Sequence, residues 1–499
     1  MAMKTLKFPL LLSALIGFVG TAYAQDSYDA QTFANSDLNG TSRFVAMGGA
    51  LGALGGDVSV MSTNPAGTAM YRKSDAAITI SELFTDKGAM GHDSYRMSLD
   101  QGGVVIAFDM DNPTSKGVQF INFGVNYQKK RNFFANQLTS MNLDGFSQTW
   151  QIADLCNAAD YYGYWGTMAD MSASSKDHGG ILQETLVSGS NGDYIEYSGI
   201  EGSEAYYERC TYGANIQADI NLSFNVSDQF FFGASMGVYD IDYSRESFYQ
   251  EAGIDGNFYD FTNWYKTKGD GFDVKLGFIF RPIEDSPFRF GVTVHTPTWY
   301  RMTDANGATL YYNDNYLTDA FNSEYDYNYR TPWKFGVSLG HTVGTFFAIG
   351  AEYEYQDMST AKYSEISYAD NNYFRNVNAI TEQTLKAQHT LKIGAEFKPA
   401  DEFSIRVGYN YVSSPFEKDA YRTIGYDGIY TETDWVNWGD INRFTLGVGY
   451  RYKGGYFDLA YQYQAQKGDF YAFDNGVEFP PTKIDANRSQ VMATLGFRF

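Results

Sequence analysis

The side chains that could do chemistry in this chain are few and scattered. Five histidines stand at His92, His178, His295, His341 and His389. None falls in a metal-ligand spacing such as His-Glu-x-x-His. A serine hydrolase would need Ser and His on adjacent strands with a third group to orient the imidazole. His295 and His389 instead lie near strand ends, where a hydrated rim role is commoner. The run Gly48-Gly49-Ala50-Leu51-Gly52-Ala53-Leu54-Gly55-Gly56 superficially suggests a phosphate loop. No Gly-Lys-Ser/Thr follows it and no βαβ context surrounds it. Cys156 and Cys210 are the whole cysteine supply. Outside the cytoplasm they could pair across about 54 residues, worth about 4 kcal/mol in chain-entropy terms, or remain two thiols. These patterns imply no enzyme, no metal and no cofactor.

The charges are better organised. Asp219, Lys275, Arg289, Lys334, Glu352, Lys392, Arg406 and Arg443 all sit at alternate positions of segments whose other positions are apolar. An Arg or Lys on such a face could hold a carboxylate, and the sequence does not choose which.

The elements that carry these residues read as strands. One face of the last segment is Val491, Ala493, Leu495, Phe497 and Phe499, and the other is Met492, Thr494, Gly496 and Arg498. Phe444, Leu446, Val448, Tyr450 and Tyr452 likewise stand opposite Arg443, Thr445, Gly447, Gly449 and Arg451. Period 2 marks strands, each about long enough to cross a bilayer at a tilt. From Ala76 onward we count about fourteen, joined by alternating short and long connections. Short ones fall at 226–229, 284–287, 399–402 and 454. Long ones fall at 131–206, 250–270, 413–440 and 468–487. This predicts an all-β fold, a transmembrane antiparallel barrel with short turns at one mouth and long extracellular loops at the other. The longest connection, 131–206, is too large to be structureless. One or two short helices are expected in it near residues 147–171, where Trp150, Tyr161, Tyr162, Tyr164 and Trp165 either form an apolar landing surface or pack the loop onto the rim.

Composition agrees. Aromatic residues make up 17% of the chain, with 41 Tyr and 50 Gly. No later apolar stretch is long enough for a spanning helix. The net charge of −22 argues against nucleic acid as a partner. At the N-terminus, Lys4 and Lys7 precede an apolar run, and Ala22-Tyr23-Ala24 follows it. That order predicts a signal peptide over 1–24, cleaved before Gln25.

Residues 25–75 do not alternate, and 76–499 form the predicted barrel. Small residues suit the intervening segment to fold into the lumen as a plug, with Pro65 fixing a turn. Here Ser42-Arg43-Phe44-Val45-Ala46-Met47-Gly48-Gly49-Ala50, closing on Asn64-Pro65-Ala66-Gly67, resembles the N-terminal hatch of the FadL/TodX family. Thr331-Pro332-Trp333-Lys334-Phe335-Gly336, the segment 389–396 and Arg406-Val407-Gly408-Tyr409-Asn410-Tyr411 look like its Bacteroidota branch. The resemblance spans nearly the whole chain beyond the leader, except the loop 131–206.

The resemblance implies a fourteen-stranded outer-membrane transporter of long-chain fatty acids or other hydrophobic molecules. It implies passive uptake through a hatch-plugged lumen and sideways release at a kinked third strand. Phe44, Val45, Met47, Leu51, Leu54, Asn64, Pro65 and Ala66 are then the hatch residues that touch or gate the ligand. Asn122, Gly124 or Asn126 would mark the kink, although a strand glycine also simply fits a small luminal position. Expected partners are the hydrophobic ligand, outer-membrane lipid and the barrel-assembly machinery, with the chain a monomer and both termini periplasmic. The competing readings are a general porin, a surface interaction or structural barrel, and a haem-binding variant using His178 with loop Met and Tyr.

Overall fold

Alternation becomes two faces of one sheet, inverted relative to a water-soluble protein. Phe444, Leu446, Val448, Leu495 and Phe497 point outward and are exposed, whereas Arg443, Thr445, Met492 and Thr494 are buried. Apolar outside and polar inside is the pattern that lipid on one side and a filled lumen on the other select. The computed structural model describes residues 25–112, 116–162, 181–189, 192–283, 286–312, 315–316, 321–366, 372–424, 431–474 and 479–499. The leader expected over 1–24 lies outside the described residues.

Fourteen antiparallel barrel strands are present among the described residues. They begin with β1 (Asp75–Thr85), β2 (Tyr95–Asp109) and β3 (Val118–Asn132, resuming as Ala135–Gly145). The long strands β4 (Gly202–Val226), β5 (Phe230–Gly253) and β6 (Phe258–Phe280) follow. Three interrupted strands come next: β7 (Arg289–His295 and Trp299–Tyr312), β8 (Phe321–Arg330 and Lys334–Val343) and β9 (Phe347–Asp357 and Lys362–Ser364). The chain ends with β10 (Ala387–Ala400), β11 (Phe403–Val412), β12 (Trp435–Tyr452), β13 (Gly455–Tyr471) and β14 (Thr482–Asp485 and Arg488–Arg498). β14 pairs with β1 from Asp75 opposite Arg498 to Thr85 opposite Arg488, which closes the barrel and removes its edges.

Several expected loops are strand. Residues 250–270 are mostly the paired ends of β5 and β6, joined by a turn at 254–257. Much of 468–487 likewise belongs to β13 and β14. The reason is visible on β6. Above the apolar belt its outward face becomes Lys268, Lys266 and Asp260, while its inward face becomes Tyr265, Phe261 and Tyr259. The polarity of the two faces swaps where lipid gives way to water, so these strand ends rise above the membrane around their own core. The connection 131–206 shrinks accordingly. It contains the end of β3, a helix (Gln148–Tyr162), a hairpin (Gln183–Gly189 with Gly192–Ser198) and the start of β4.

The kink expected at Asn122, Gly124 or Asn126 has no counterpart in the pairing register. β3 pairs continuously with β2 and β4 across those residues. Its irregularities lie at Val118/Phe120 and Lys129/Arg131, and it breaks at Phe133–Phe134. Gly124 serves another purpose: a Cβ there would lie 2.4 Å from Met61 Cε, so the glycine makes room for a luminal side chain. A second interruption is shared by neighbours. His295 opposite Lys334 and Trp299 opposite Arg330 set Pro297 across from Pro332, and neither proline has an N–H to donate.

Residues 25–74 lie within the ring of strands. They form α1 (Ser27–Ala34), α2 (Ser42–Ala46) and 3₁₀ turns at Val58–Ser62 and Pro65–Met70. Each begins on a capping side chain: Asp26, Thr41, Asp57 and Asn64. Gly48, at φ +62°, turns the backbone after α2 as few side chains allow. Contacts reach around the wall. Ser42 N–H donates to Thr494 at 2.7 Å, Gly52 N–H to Glu352 at 3.1 Å, and Asn122 to the Thr68 carbonyl at 2.7 Å. The wall itself gives way at Gly394, where a Cβ would sit 2.1 Å from the Met47 carbonyl oxygen.

Candidate functional site

The luminal segment does not fill the barrel. Beside α1 and residues 35–39 is a cavity of about 340 Å³, bounded by inward side chains of most strands. Its wall is an ordered set of ion pairs. Lys275 sits between Asp219 (2.9 Å) and Asp273 (2.8 Å), and Tyr239 donates to Asp273 at 2.7 Å. Lys392 sits between Glu352 (2.8 Å) and Glu354 (2.7 Å). Arg488 reaches Asp37 at 2.9 Å, and Arg443 donates to Asn410 and Gln464. Burial alone would raise the Asp37 carboxyl, but Arg488, Arg131 and Arg443 outweigh it and hold it below the ordinary carboxylate range.

Lys130 is the exception. Its ammonium lies 4.6 Å from the Tyr239 ring centroid and makes no ion pair among the described residues. A half-buried ammonium beside an aromatic face, with no carboxylate in ion-pair range among the described residues, can receive an anion. Phe44, Phe133, Val412, Trp435, Trp438 and Ile441 supply apolar surface to the same cavity. One end of an amphipathic molecule could therefore be fixed by charge and the other by burial.

The residues expected from sequence divide into distinct groups. Of the hatch residues, Phe44 lines the cavity. Val45, Met47 and Leu51 are buried in a cluster with Val60, Ala460 and Met492, and Leu54 faces the short-turn mouth. Asn64, Pro65 and Ala66 seat the second 3₁₀ turn against Gly233 and Gly277 of the wall. Asn122 holds the carbonyls of Thr68 and Tyr71, and Asn126 accepts from Gln101 at 2.8 Å. Asn64, Pro65, Ala66 and Asn122 dock the segment, Asn126 ties β3 to β2, and none of these five lines the cavity. Cys156 and Cys210 are both buried, and no disulfide joins them. Trp150 is exposed, while Tyr164, Trp165 and His178, with the side chains of Tyr161 and Tyr162, lie outside the described residues.

The histidines remain apart. His295 Nε2–H donates to the Thr63 carbonyl at 2.7 Å, His389 meets Tyr353 at the surface, and His92 lies at the rim near Glu246. No group of three metal-ligating side chains occurs among the described residues. Lys130 and the Trp435–Trp438 stretch were not singled out from sequence. Lys130 ends the alternating part of β3 beside Arg131, and Trp435 and Val436 are both buried, so neither carries a period-2 signal.

A closed fourteen-stranded barrel with an apolar outer belt and a polar, occupied lumen has the architecture of an outer-membrane barrel. No protein-family profile matches the sequence, and no curated protein does. Solved structures do match. The P. putida toluene transporter TodX superposes with a TM-score of 0.53 at 12% identity, covering 93% of this chain and 99% of that one. A TodX monoaromatic hydrocarbon channel carrying the deltaS2 mutation gives 0.50 at 11% identity, over 93% and 100%. A Pseudomonas aeruginosa FadL homologue gives 0.48 at 13% identity, over 93% and 98%. The chain thus shares the fold that its sequence resemblance implied, at an identity too low to carry more than fold.

Proposed function

We propose that this protein carries small hydrophobic or amphipathic molecules across the outer membrane by passive diffusion, with residues 25–75 acting as the plug. The observation that carries this reading is the luminal cavity that pairs the unneutralised Lys130 with an apolar group of Phe44, Phe133, Trp435 and Trp438. The ligand class that fits best is a carboxylate with a hydrocarbon tail, of which a long-chain fatty acid is the simplest example. In this reading a leader over 1–24 directs export, the assembly machinery inserts a monomer, and both termini face the periplasm. The long-loop mouth then faces outward. The likeness to TodX supports the fold on which the proposal is built, and the ligand is inferred from this chain's own cavity.

The test is mass spectrometry of organic extracts from purified, delipidated protein, alongside Lys130→Met. Recovery of a fatty acid from the parent chain and its depletion from the variant is the expected result. A barrel that yields no apolar compound and conducts ions steadily in planar bilayers would be a porin. A barrel that does neither would point to the surface-interaction reading.

A further inference from the structure

At the short-turn end of the lumen, on the other side of the plug segment from Lys130, a second cavity of about 260 Å³ is lined by seven cationic side chains and only two carboxylates. In a chain of net charge −22 this is a local reversal of sign. The carboxylates are already engaged. Glu396 is 2.6 Å from Arg406, 3.2 Å from Arg43 and 3.7 Å from Lys398, and Asp228 is 2.8 Å from the exposed Arg72. Arg289 spends one nitrogen on the Leu54 carbonyl at 2.8 Å. Its Nε is buried without a hydrogen-bond partner among the described residues, and the charged groups acting on it there are Arg281 and Arg72. Arg451 makes no ion pair among the described residues; Arg43 and Arg498 repel it and Glu396 offsets them in part, while Arg43 and Arg498 themselves pair with Asp57 (3.8 Å) and Asp75 (3.0 Å).

Half-buried guanidinium groups that face one another repel, and the arrangement is costly unless an anion neutralises it. The planar donor fork of arginine matches the edges of a tetrahedral oxyanion. We propose that this mouth of the barrel is an oxyanion site of the phosphate class, held chiefly by Arg289 and Arg451 with Arg43 and Lys398 behind them. The oxyanion is either free phosphate or the head group of a single-chain amphiphile. The site stands independently of the transport reading, because none of these residues lines the cavity that holds Lys130.

The test uses the full-length barrel refolded in maltoside detergent, with folding checked by heat-dependent migration on a gel. Inorganic phosphate and dodecyl phosphate are titrated separately by calorimetry. Arg451→Gln is expected to weaken binding at least tenfold, Arg451→Lys by less than threefold, and Lys130→Met not at all. Equal affinity for the two probes assigns a free-anion site, and much tighter dodecyl phosphate assigns a head-group site. Should Arg451→Gln not fold, Arg289→Gln takes its place with the same expectation. Failure of both probes to bind, or undiminished binding by the folded Gln variant, overturns the proposal.

Discussion

Arg422 Nε donates to Asp26 Oδ2 at 2.7 Å, while the other oxygen of Asp26 caps α1 by accepting from the Tyr28 and Asp29 amides. A loop between β11 and β12 thereby holds the first helix of the luminal segment. The same loop is fastened to the wall, because Glu432 lies 2.8 Å from Arg245 and 3.3 Å from Arg209, and Asp434 lies 2.5 Å from Arg209.

This clamp is pH-sensitive. Burial would raise the Glu432 carboxyl, yet Arg245, Arg209 and Arg422 outweigh it and hold it down at about 2. A group depressed in the folded state stabilises that state fully above its unfolded pKa, about 4.3, and loses the contribution as pH falls through the folded value. The loop at 431–434 is therefore expected to hold at pH 6 and to loosen between about pH 4 and pH 2. Amide hydrogen exchange across that range, with Glu432→Gln already loosened at pH 6, checks the direction.

Gly394→Leu would place a side chain where the Met47 carbonyl now lies. The luminal segment is then expected to be displaced while the barrel still closes through its outward face. Single-channel recording should show at least a tenfold rise in ion conductance over the parent chain. Unchanged conductance in a folded variant would mean that the segment does not block the lumen.

Lys130→Met removes the unneutralised ammonium and keeps most of the stem. A carboxylate-bearing ligand should lose about tenfold in affinity, about 1.4 kcal/mol, whereas an uncharged hydrocarbon should lose little. Fluorescence competition with a fatty acid and its methyl ester separates the two. Equal losses for both would count against a head-group role for Lys130.

Neither cysteine is accessible in the folded chain. Maleimide is expected to leave Cys156 and Cys210 unmodified natively and to label both after denaturation without prior reduction. Labelling that requires a reductant would show a disulfide instead.

Arg406 is fully buried between Glu396 (2.6 Å) and Asp458 (2.5 Å). Arg406→Met strands two buried carboxylates and should cost about 3–5 kcal/mol, read as a lower urea midpoint for unfolding. A midpoint equal to the parent's would mean that solvent replaces the guanidinium.

The barrel was legible because lipid and lumen impose opposite preferences on alternate residues, as at Phe444 and Arg443. What escaped was the part where that contrast reverses. Tyr259, Phe261 and Tyr265 keep the period but face inward into a core, so a reader tracking an apolar outer face stops at Phe272 and writes a loop. The luminal segment was recognisable from its small residues and its Asn-Pro-Ala turn. Its division of labour was not, because whether Phe44 or Met47 meets open space depends on which wall glycine each neighbour lies against. Lys130 could not be singled out, since an inward lysine reads the same in sequence whether it is paired like Lys275 or left alone.

The facing pair Pro297 and Pro332 has a mechanical meaning. A closed barrel resists changes in cross-section the way a hoop does, through tension carried from strand to strand by the ladder. At this level the β7–β8 seam is held by the Thr331 amide on the Thr298 carbonyl and the Thr298 amide on the Thr331 hydroxyl. Tension carried around the hoop therefore passes this notch through those two bonds, one of them to a side-chain hydroxyl that can turn away, so the seam has a give here that an unbroken ladder lacks.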